Sequence, residues 1–482
     1  MIAEMMPVKS TAESLLEKIE TGSARIAVLG LGYVGLPLAL EFSKHFQTIG
    51  IDIEAERVDA INAGHSYIGD VTDDELQVLV KRGALKATQD LDAIAQGDCI
   101  IICVPTPLEA GKQPDMSYIV SAAGAIATRL RRGQLVVLES TTFPGTTDET
   151  LLQMFIKDGL RLDVDFLLAF SPERVDPGNP DYKVRDIPKI VGGCSALSTK
   201  VACALYDRIV SQVHAVSSAR VAETAKLWEN TFRAVNIALA NEMSMLCDNL
   251  GIETHEVIEA AATKPFGFMP FYPGPGVGGH CIPLDPHYLS WTAAKYGCYP
   301  RFITLADQIN TEMADYIVAL VTDALNDEGL PLRFARILVL GVSYKADIDD
   351  VRGSPAITII ERLRAKCAYV RYHDPFVARL QVDEKDLPPS PRRDLRRLTV
   401  ERRQAVTTDL EAAVTQGRRR SDPLQSRALT SEELQSADCV LVLAAHSGVD
   451  YEHVVRNSKL IVDTRNVIRR NRDRGDARVI SL

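Results

Sequence analysis

The run Arg25-Ile26-Ala27-Val28-Leu29-Gly30-Leu31-Gly32-Tyr33-Val34-Gly35 constrains the fold more than any other part of the chain. A short apolar, β-prone stretch ends in glycines at 30, 32 and 35, which predicts a strand, a tight turn and the start of a helix. The first glycine allows the turn, the second lets a pyrophosphate approach the backbone, and the third lets the helix pack closely on the strand. The free N–H groups of the helix start then face the phosphates. A second apolar run, Thr48-Ile49-Gly50-Ile51, closes on Asp52, about 20 residues on, where an acid accepts from ribose hydroxyls. An acid there repels a 2'-phosphate, so the turn reads as a site for NAD rather than NADP, a preference that nearby Arg57 tempers.

Further apolar strands are predicted at Cys99–Val104, Leu135–Leu138 and Phe166–Phe170, separated by helix-like stretches. Continuous rather than alternating hydrophobicity marks strands buried on both faces, as in a doubly wound parallel sheet. Ligands bind beyond the carboxyl ends of such strands, where Pro105-Thr106-Pro107, Glu139-Ser140-Thr141-Thr142 and Ser171-Pro172-Glu173-Arg174 stand. Ordinary turn chemistry also puts polar residues there; Glu173-Arg174, an acid and a base in a Pro-flanked loop, fit it least well.

From about Ala219 to Leu250 a long helix without Pro or Gly is predicted. Lys226, Asn230 and Arg233 fall at i, i+4 and i+7 and share one polar face, for which solvent exposure is the simplest reason. A second α/β unit begins near Ala335, with strands at Ile337–Leu340, Ala368–Tyr372, Cys439–Leu443 and Leu460–Asp463. It lacks a full glycine fingerprint, so something other than NAD is its expected ligand. Lys345 and Arg465 at strand ends suit an anionic group such as a diphosphate.

A chain of 482 residues exceeds one hydrophobic core and implies two to four domains. No apolar run is long enough to span a bilayer, and Met1–Lys18 carries charges throughout, so neither a membrane partner nor a signal peptide is expected and the cytoplasm is the default location. Nine cysteines without Cys-x-x-Cys spacing point to reduced thiols, with no disulfide framework and no metal site; Cys99 and Cys103 read as strand filler. A net charge of -10 argues against nucleic acid as a partner. Residues 391–420 are clearly basic, with nine arginines against four acids. They lie in a stretch of about 388–430 that reads as a solvated insert without aromatic residues for base stacking.

Cys281 sits in Gly276-Val277-Gly278-Gly279-His280-Cys281-Ile282-Pro283-Leu284-Asp285. A lone cysteine is by default buried filler. Beside a nicotinamide site, with glycines leaving the sulfur approachable and a carboxylate four residues later, a thiol suits covalent catalysis. The preceding Lys264–Gly276 segment is too rich in Pro and Gly for a helix or a central strand and reads as a shaped binding loop.

Taken in order, GLGYVGLP from Gly30, ESTTFPGTT from Glu139, SPERVDPGN from Ser171, AKLWENTFRAVNIALANE, PGPGVGGHCIPLDP and GVSYKADIDDVRGSP resemble the nucleotide-sugar 6-dehydrogenase family, which acts on UDP-glucose and UDP-N-acetylhexosamines. The resemblance covers nearly all of the chain. It implies an α/β fold: two Rossmann-like, doubly wound parallel-sheet domains (1–218 and 331–482) joined by a helical core with a long central helix (219–330). NAD is expected in the first domain and the UDP-sugar between the core and the last. The implied reaction takes a primary alcohol at sugar C6 to a carboxylate with two NAD and water. Cys281 holds the aldehyde as a thiohemiacetal and then the acid as a thioester.

By the same resemblance, Lys226 and Asn230 stabilise charge on the C6 oxygen, Asp285 orients or deprotonates water, and Glu173 acts as general base in thioester hydrolysis. Some UDP-glucose members carry another glutamate where Pro177 stands, which leaves the hydrolytic relay open. Substrate contacts are expected from Arg174, Val175, Lys226, Asn230, Arg233, Gly278, Tyr344, Lys345 and Arg465. NAD contacts are expected from Gly30, Gly32, Tyr33, Val34, Gly35, Asp52, Arg57, Thr106, Thr141 and Arg352. The Lys264–Gly276 loop and His280 resemble the N-acetylhexosamine branch, so UDP-N-acetylglucosamine comes first, followed by the N-acetylmannosamine, N-acetylgalactosamine and glucose forms. One loop does not fix configuration at C2 or C4. The family also implies a homodimer or larger assembly and a product for surface polysaccharide, as in capsule or lipopolysaccharide, while its pattern has no long insert near 388–430. Two other classes remain open: a two-electron NAD hydroxy-acid dehydrogenase, which needs no nucleophilic cysteine, and a non-catalytic nucleotide-sugar sensor, against which Lys226, Asn230, Cys281 and Asp285 together count.

Overall fold

The first sheet is built from β1 (Arg25–Leu29), β2 (Gln47–Ile51), β3 (Leu85–Thr88), β4 (Cys99–Ile102), β5 (Gln134–Leu138), β6 (Phe166–Phe170), β7 (Lys189–Gly193) and β8 (Val213–Ala215). Their order is β3-β2-β1-β4-β5-β6-β7-β8, so the winding reverses between β1 and β4, where the carboxyl ends of the strands open a crevice. Every residue of β4, β5 and β6 is buried, which is why these strands read as unbroken apolar runs. Alternate residues serve opposite cores: Ile26, Val28, Cys99 and Ile101 pack on one face, and Ala27, Leu29, Ile100 and Ile102 on the other. Cys99 and Cys103 are buried, as strand filler should be. The last two strands depart from the direction shared by the other six: β8 runs parallel to β7, and β7 runs antiparallel to β6. Among the described residues between β6 and β7 the one helical piece is a short turn, Val184–Asp186, in place of the crossover helix that usually joins parallel neighbours.

This computed structural model describes residues 11–69, 71–109, 111–156, 159–176, 182–382, 423–470 and 477–482. Its chain falls into two compact units, Met1–Thr231 with Leu284–Tyr299, and Phe232–Pro283 with Pro300–Leu482. The second unit has its own sheet. Before and after a small ribbon come β9 (Arg336–Leu340) and β10 (Tyr369–His373), then β13 (Cys439–Val442), β14 (Leu460–Asp463) and β15 (Arg478–Ser481); the ribbon itself is β11 (Arg379–Leu380) with β12 (Leu424–Gln425). The five longer strands are all parallel in the order β10-β9-β13-β14-β15. The α/β class, two Rossmann-like sheets and a long central helix are therefore as expected from the sequence.

Most of the basic insert expected at 388–430 lies outside the described residues. Its final part, from residue 423, is exposed or half-buried, as a solvated stretch is, and carries a short strand. Leu424 pairs antiparallel with Leu380, and the Thr430 hydroxyl accepts from Glu433 N at 3.2 Å to cap the helix Ser431–Ser436. Apolar Leu424 and a capping threonine give this stretch a packing partner and a helix start, which overall polarity conceals.

The long helix is Ala219–Leu250, and it stops where Gly251 takes φ +67°. Its first turns are fastened by Glu223, which is wholly buried and accepts from Gly145 N at 2.7 Å, Thr147 N at 2.9 Å and the Thr147 hydroxyl at 2.6 Å. Burial pushes the Glu223 pKa up to about 7 even though these donors oppose the shift. Among the described residues no helix is long and apolar enough to cross a membrane.

Replacing Glu223 by Ala strands two amides and a hydroxyl in the core, and is expected to cost roughly 2–5 kcal/mol of stability in urea unfolding. Glu223→Gln, which keeps one accepting oxygen, is expected to fall between the two. A loss below about 1 kcal/mol for the Ala variant contradicts this account of the helix.

Candidate functional site

The glycine turn after β1 separates two reasons for having glycine. Gly30 lies at φ +88° with its N–H on Ile51 O at 2.8 Å, and a Cβ on it would stand 2.4 Å from Cys103 O. A Cβ on Gly35 would stand 1.8 Å from Gly30 O. These two positions are dictated by the protein's own packing. Gly32 is not: its φ lies outside the left-handed region, and a Cβ would meet nothing within 4 Å. A Cβ at 32 would stand in open space over the turn, where a pyrophosphate could lie against the backbone.

Asp52 pins the turn. One of its oxygens accepts from Leu31 N at 2.7 Å, and the other from Glu54 N at 2.9 Å. The exposed Arg57 guanidinium lies 3.4 Å from the same carboxylate. Two carboxylate oxygens offer about four lone-pair sites, which leaves room for a ribose hydroxyl. Tyr33 is exposed, while Val34, Thr106 and Thr141 are half-buried at the same carboxyl edge of the sheet. A glycine turn, an acid and hydroxyl groups able to hold a dinucleotide thus lie around β1, β2, β4 and β5.

Beside this edge lies a chain of charges only partly visible in the sequence. Lys189, at the start of β7, is buried and donates to Glu139 at 2.6 Å and to Glu173 at 3.3 Å, and Glu139 also accepts from the Tyr206 hydroxyl. Burial pushes Glu139 up to about 7 against the opposing charge of Lys189. Burial alone would raise Glu173 too. Lys189, the N–H groups of Val175 and Arg174 (both 2.7 Å) and the charge of Lys226 outweigh it and hold the carboxyl below its usual range. Lys189 was missed by sequence reading; the available signal was a lysine opening an otherwise apolar strand. Arg174, expected on the substrate, makes a bidentate pair with Glu229 at 2.7 and 3.2 Å.

Asp285 opens the helix Asp285–Lys295, with Pro286 in the first turn. The helix is held to the first unit by the Tyr288 hydroxyl on Thr106 O at 2.9 Å and by Trp291 packed 4.6 Å from the Phe143 ring. That packing buries Asp285, which accepts from the Asn230 amide at 2.5 Å. Burial pushes the Asp285 pKa up to about 6, although the charge of Lys226 and the Asn230 hydrogen bond both pull the other way. Lys226 and Asn230 are themselves buried, so solvent exposure does not explain their polar face; Arg233 is exposed. Four of the expected residues (Glu173, Lys226, Asn230 and Asp285) therefore gather in one unit, two of them carboxyls displaced in opposite directions.

The Cys281 loop belongs to the second unit. Its glycines have a tighter reason than access to the sulfur: a Cβ on Gly278 would stand 2.6 Å from Tyr344 Cβ and 2.8 Å from Gly353 O, and one on Gly279 2.9 Å from the Tyr344 ring. Gly279 N donates to Arg352 O at 3.0 Å. Arg352 pairs with Asp350 at 2.7 Å and lies 3.4 Å from His280. Upstream, buried Asn241 of the long helix accepts from Gly274 N at 2.9 Å, a positioning contact that sequence reading missed. Arg465 packs against Gly274 and donates to Leu443 O at 2.8 Å; burial lowers its pKa to about 10, which leaves it charged at neutral pH. Cys281, Gly278, Tyr344 and Lys345 are half-buried. Between Pro283 and Leu284 the chain passes from this unit to the one that contains Asp285. Pro177 lies outside the described residues.

Comparison with known proteins gives three consecutive matches to the UDP-glucose/GDP-mannose dehydrogenase family: its NAD binding domain over residues 24–210, its central domain over 220–312 and its UDP binding domain over 338–470. The chain is 37% identical over 356 residues to UDP-N-acetyl-D-glucosamine 6-dehydrogenase of Pseudomonas aeruginosa, covering 73% of this chain and 83% of that one. It is 39% identical over 353 residues to NDP-N-acetyl-D-galactosaminuronic acid dehydrogenase of Ralstonia nicotianae, covering 70% and 79%. Among solved structures, UDP-D-ManNAc dehydrogenase from Pyrococcus horikoshii superposes with a TM-score of 0.79 at 33% identity, covering 95% of this chain and 99% of that one.

Two glycine substitutions separate packing from NAD binding. Gly35→Ala is expected to lower stability by more than about 3 kcal/mol. Gly32→Ala is expected to leave the unfolding midpoint unchanged while weakening NAD binding at least about tenfold, measured by calorimetry. Wild-type NAD affinity in the Gly32 variant contradicts the assignment of that space to pyrophosphate.

Proposed function

Because the chain belongs to the UDP-glucose/GDP-mannose dehydrogenase family, we propose that it oxidises C6 of a UDP-N-acetylhexosamine from alcohol to carboxylate, with UDP-N-acetyl-D-glucosamine the first candidate. The observation that carries this reading is the buried Lys226-Asn230-Asp285 cluster, reached in sequence four residues after Cys281. One relative is named for N-acetylglucosamine, and the sugars named in the other two differ from it in configuration at C4 or C2. The N-acetylmannosamine and N-acetylgalactosamine forms are therefore the alternatives, followed by UDP-glucose. NAD supplies the acceptor for hydride from C6 in each of two rounds.

The protein's own groups do the rest. Lys226 and Asn230 donate to the C6 oxygen as negative charge develops on it. The Cys281 thiolate adds to the aldehyde carbon to give a thiohemiacetal. Loss of the second hydride leaves a thioester, and water adds to its carbonyl and expels the thiolate. Of the two carboxyls, Asp285, displaced up to about 6, is the better matched to take a proton from water near neutral pH. Glu173, held low by Lys189 and backbone donors, serves better as a fixed negative charge that orders the site. Arg174, Val175, Arg233, Gly278, Tyr344, Lys345 and Arg465 hold the nucleotide sugar in this reading. Gly30, Gly32, Tyr33, Val34, Gly35, Asp52, Arg57, Thr106, Thr141 and Arg352 hold NAD.

The domain limits that go with it are 1–218, 219–330 and 331–482. Phe232, Leu239, Met243, Leu246 and Leu250 form an exposed apolar stripe on the long helix, which supports a homodimer or larger assembly. A cytoplasmic enzyme feeding surface polysaccharide completes the proposal.

A panel of UDP-sugars in an NADH absorbance assay tests it. The expected stoichiometry is two NADH per sugar consumed, with turnover collapsing in Cys281→Ala; one NADH per sugar and an active Ala variant reject it. The pH dependence follows from Asp285, which works as a base only when ionised. Turnover is expected to fall as pH drops through about 6, and Asp285→Asn is expected to lower the plateau and remove that limb. An unchanged acid limb in the Asn variant excludes Asp285 as the titrating base.

A further inference from the structure

The two sheets repeat one device. Asp374 follows β10 as Asp52 follows β2, and it accepts from Val342 N at 2.7 Å just as Asp52 accepts from Leu31 N. Gly341, at φ +79°, donates to His373 O at 2.9 Å, matching Gly30 on Ile51 O. Four residues past β13 stands His446, the place that Thr106 holds past β4. Here the halves diverge. The neighbour of Asp52 is exposed Arg57, whereas Asp374 is sealed beneath a wholly buried histidine.

The hydrogen bonds around His446 fix its proton. Asp347 N lies 2.9 Å from Nδ1, and an amide can only donate, so Nδ1 is the unprotonated acceptor. The proton is then on Nε2, 3.0 Å from Asp374 Oδ2, and the ring is neutral. Ser343 Oγ, 3.4 Å from Nε2, gives its own proton to Lys345 O at 2.7 Å. The turn 342–347 is thereby held at both ends, Val342 and Ser343 by Asp374 and Asp347 by His446. Tyr344 and Lys345 occupy its middle, and the Tyr344 side chain presses on Gly278 and Gly279.

We propose that His446 is a positioning residue for nucleotide-sugar binding: a neutral imidazole whose Nδ1 holds the far end of the 342–347 turn and so sets Tyr344 and Lys345. This rests on the reading of those two residues as substrate contacts. His446 touches neither sugar nor NAD in this account, and its effect belongs to affinity rather than to the chemical steps.

Two near-isosteric variants divide the ring's two bonds. His446→Asn puts an oxygen near the place of Nδ1 and can still accept from Asp347 N, while His446→Gln puts an amide near the place of Nε2 and loses that acceptor. Steady-state kinetics of the purified variants with the preferred UDP-sugar are the test. The Gln variant is expected to raise the KM for the sugar about tenfold with kcat and the KM for NAD within about twofold, and the Asn variant to stay within about threefold of wild type throughout. Equal behaviour of the two variants, or a fall in kcat without a change in KM, overturns the proposal. A Gln protein that cannot be obtained folded also overturns it, since His446 is then structural. Wild-type protein that oxidises no UDP-sugar defeats the functional reading and this proposal together, whereas active wild type with indifferent variants defeats this proposal alone.

Discussion

A carboxylate that accepts from the first amide after a glycine sets the geometry of both halves of this protein. Asp52 on Leu31 N and Asp374 on Val342 N, each at 2.7 Å, tie the end of one strand to the turn leaving its neighbour. Each bond costs the desolvation of a charge and is stabilising because the turn offers several donors at once. With the turn fixed, the glycine contacts follow, and the carboxyl ends of the strands open where ligands are bound. In the first half this edge carries an exposed arginine and an open Gly32; in the second it carries a buried histidine.

The same trade between burial and donors separates the carboxyls of the candidate site. Asp285 has one amide donor and a nearby ammonium, too little to offset burial, and its pKa rises to about 6. Glu173 has two backbone donors and two lysines, and its pKa falls. Two acids that feel the same Lys226 ammonium but are pushed apart in this way are suited to different tasks, one exchanging a proton near neutral pH and the other staying charged. Lys189 links Glu173 to buried Glu139, so the site's charge balance is built into the strand layer itself.

Much of the fold was legible because buried parallel strands leave a simple trace. Cys99-Ile100-Ile101-Ile102 and Leu135-Val136-Val137-Leu138 can be little else, and the long helix runs from Ala219 to Leu250 as its freedom from Pro and Gly predicts. Short elements whose partners are remote were not legible. The antiparallel β7 depends on a loop connection, and the β12 strand depends on Leu380 some forty residues earlier. Around the site, the motif glycines were noticed but the packing cause at 278 and 279 was not legible, since only the structure brings Tyr344 against them. Lys189, Asn241 and His446 act on residues distant in sequence; Asn241 and His446 carry no local signature, and Lys189 shows only as a lysine opening an apolar strand.

The central claim is that one cysteine carries the sugar through both oxidations. Acid-quenched intact-mass and peptide analysis of Asp285→Asn, mixed with NAD and the preferred UDP-sugar, tests it most directly, because slowed hydrolysis should let the acyl-enzyme accumulate. The account predicts an adduct on the Cys281 peptide with the mass of the substrate less four hydrogen atoms, decaying as carboxylate appears. A Cys281 peptide that stays unmodified while carboxylate is still formed contradicts it.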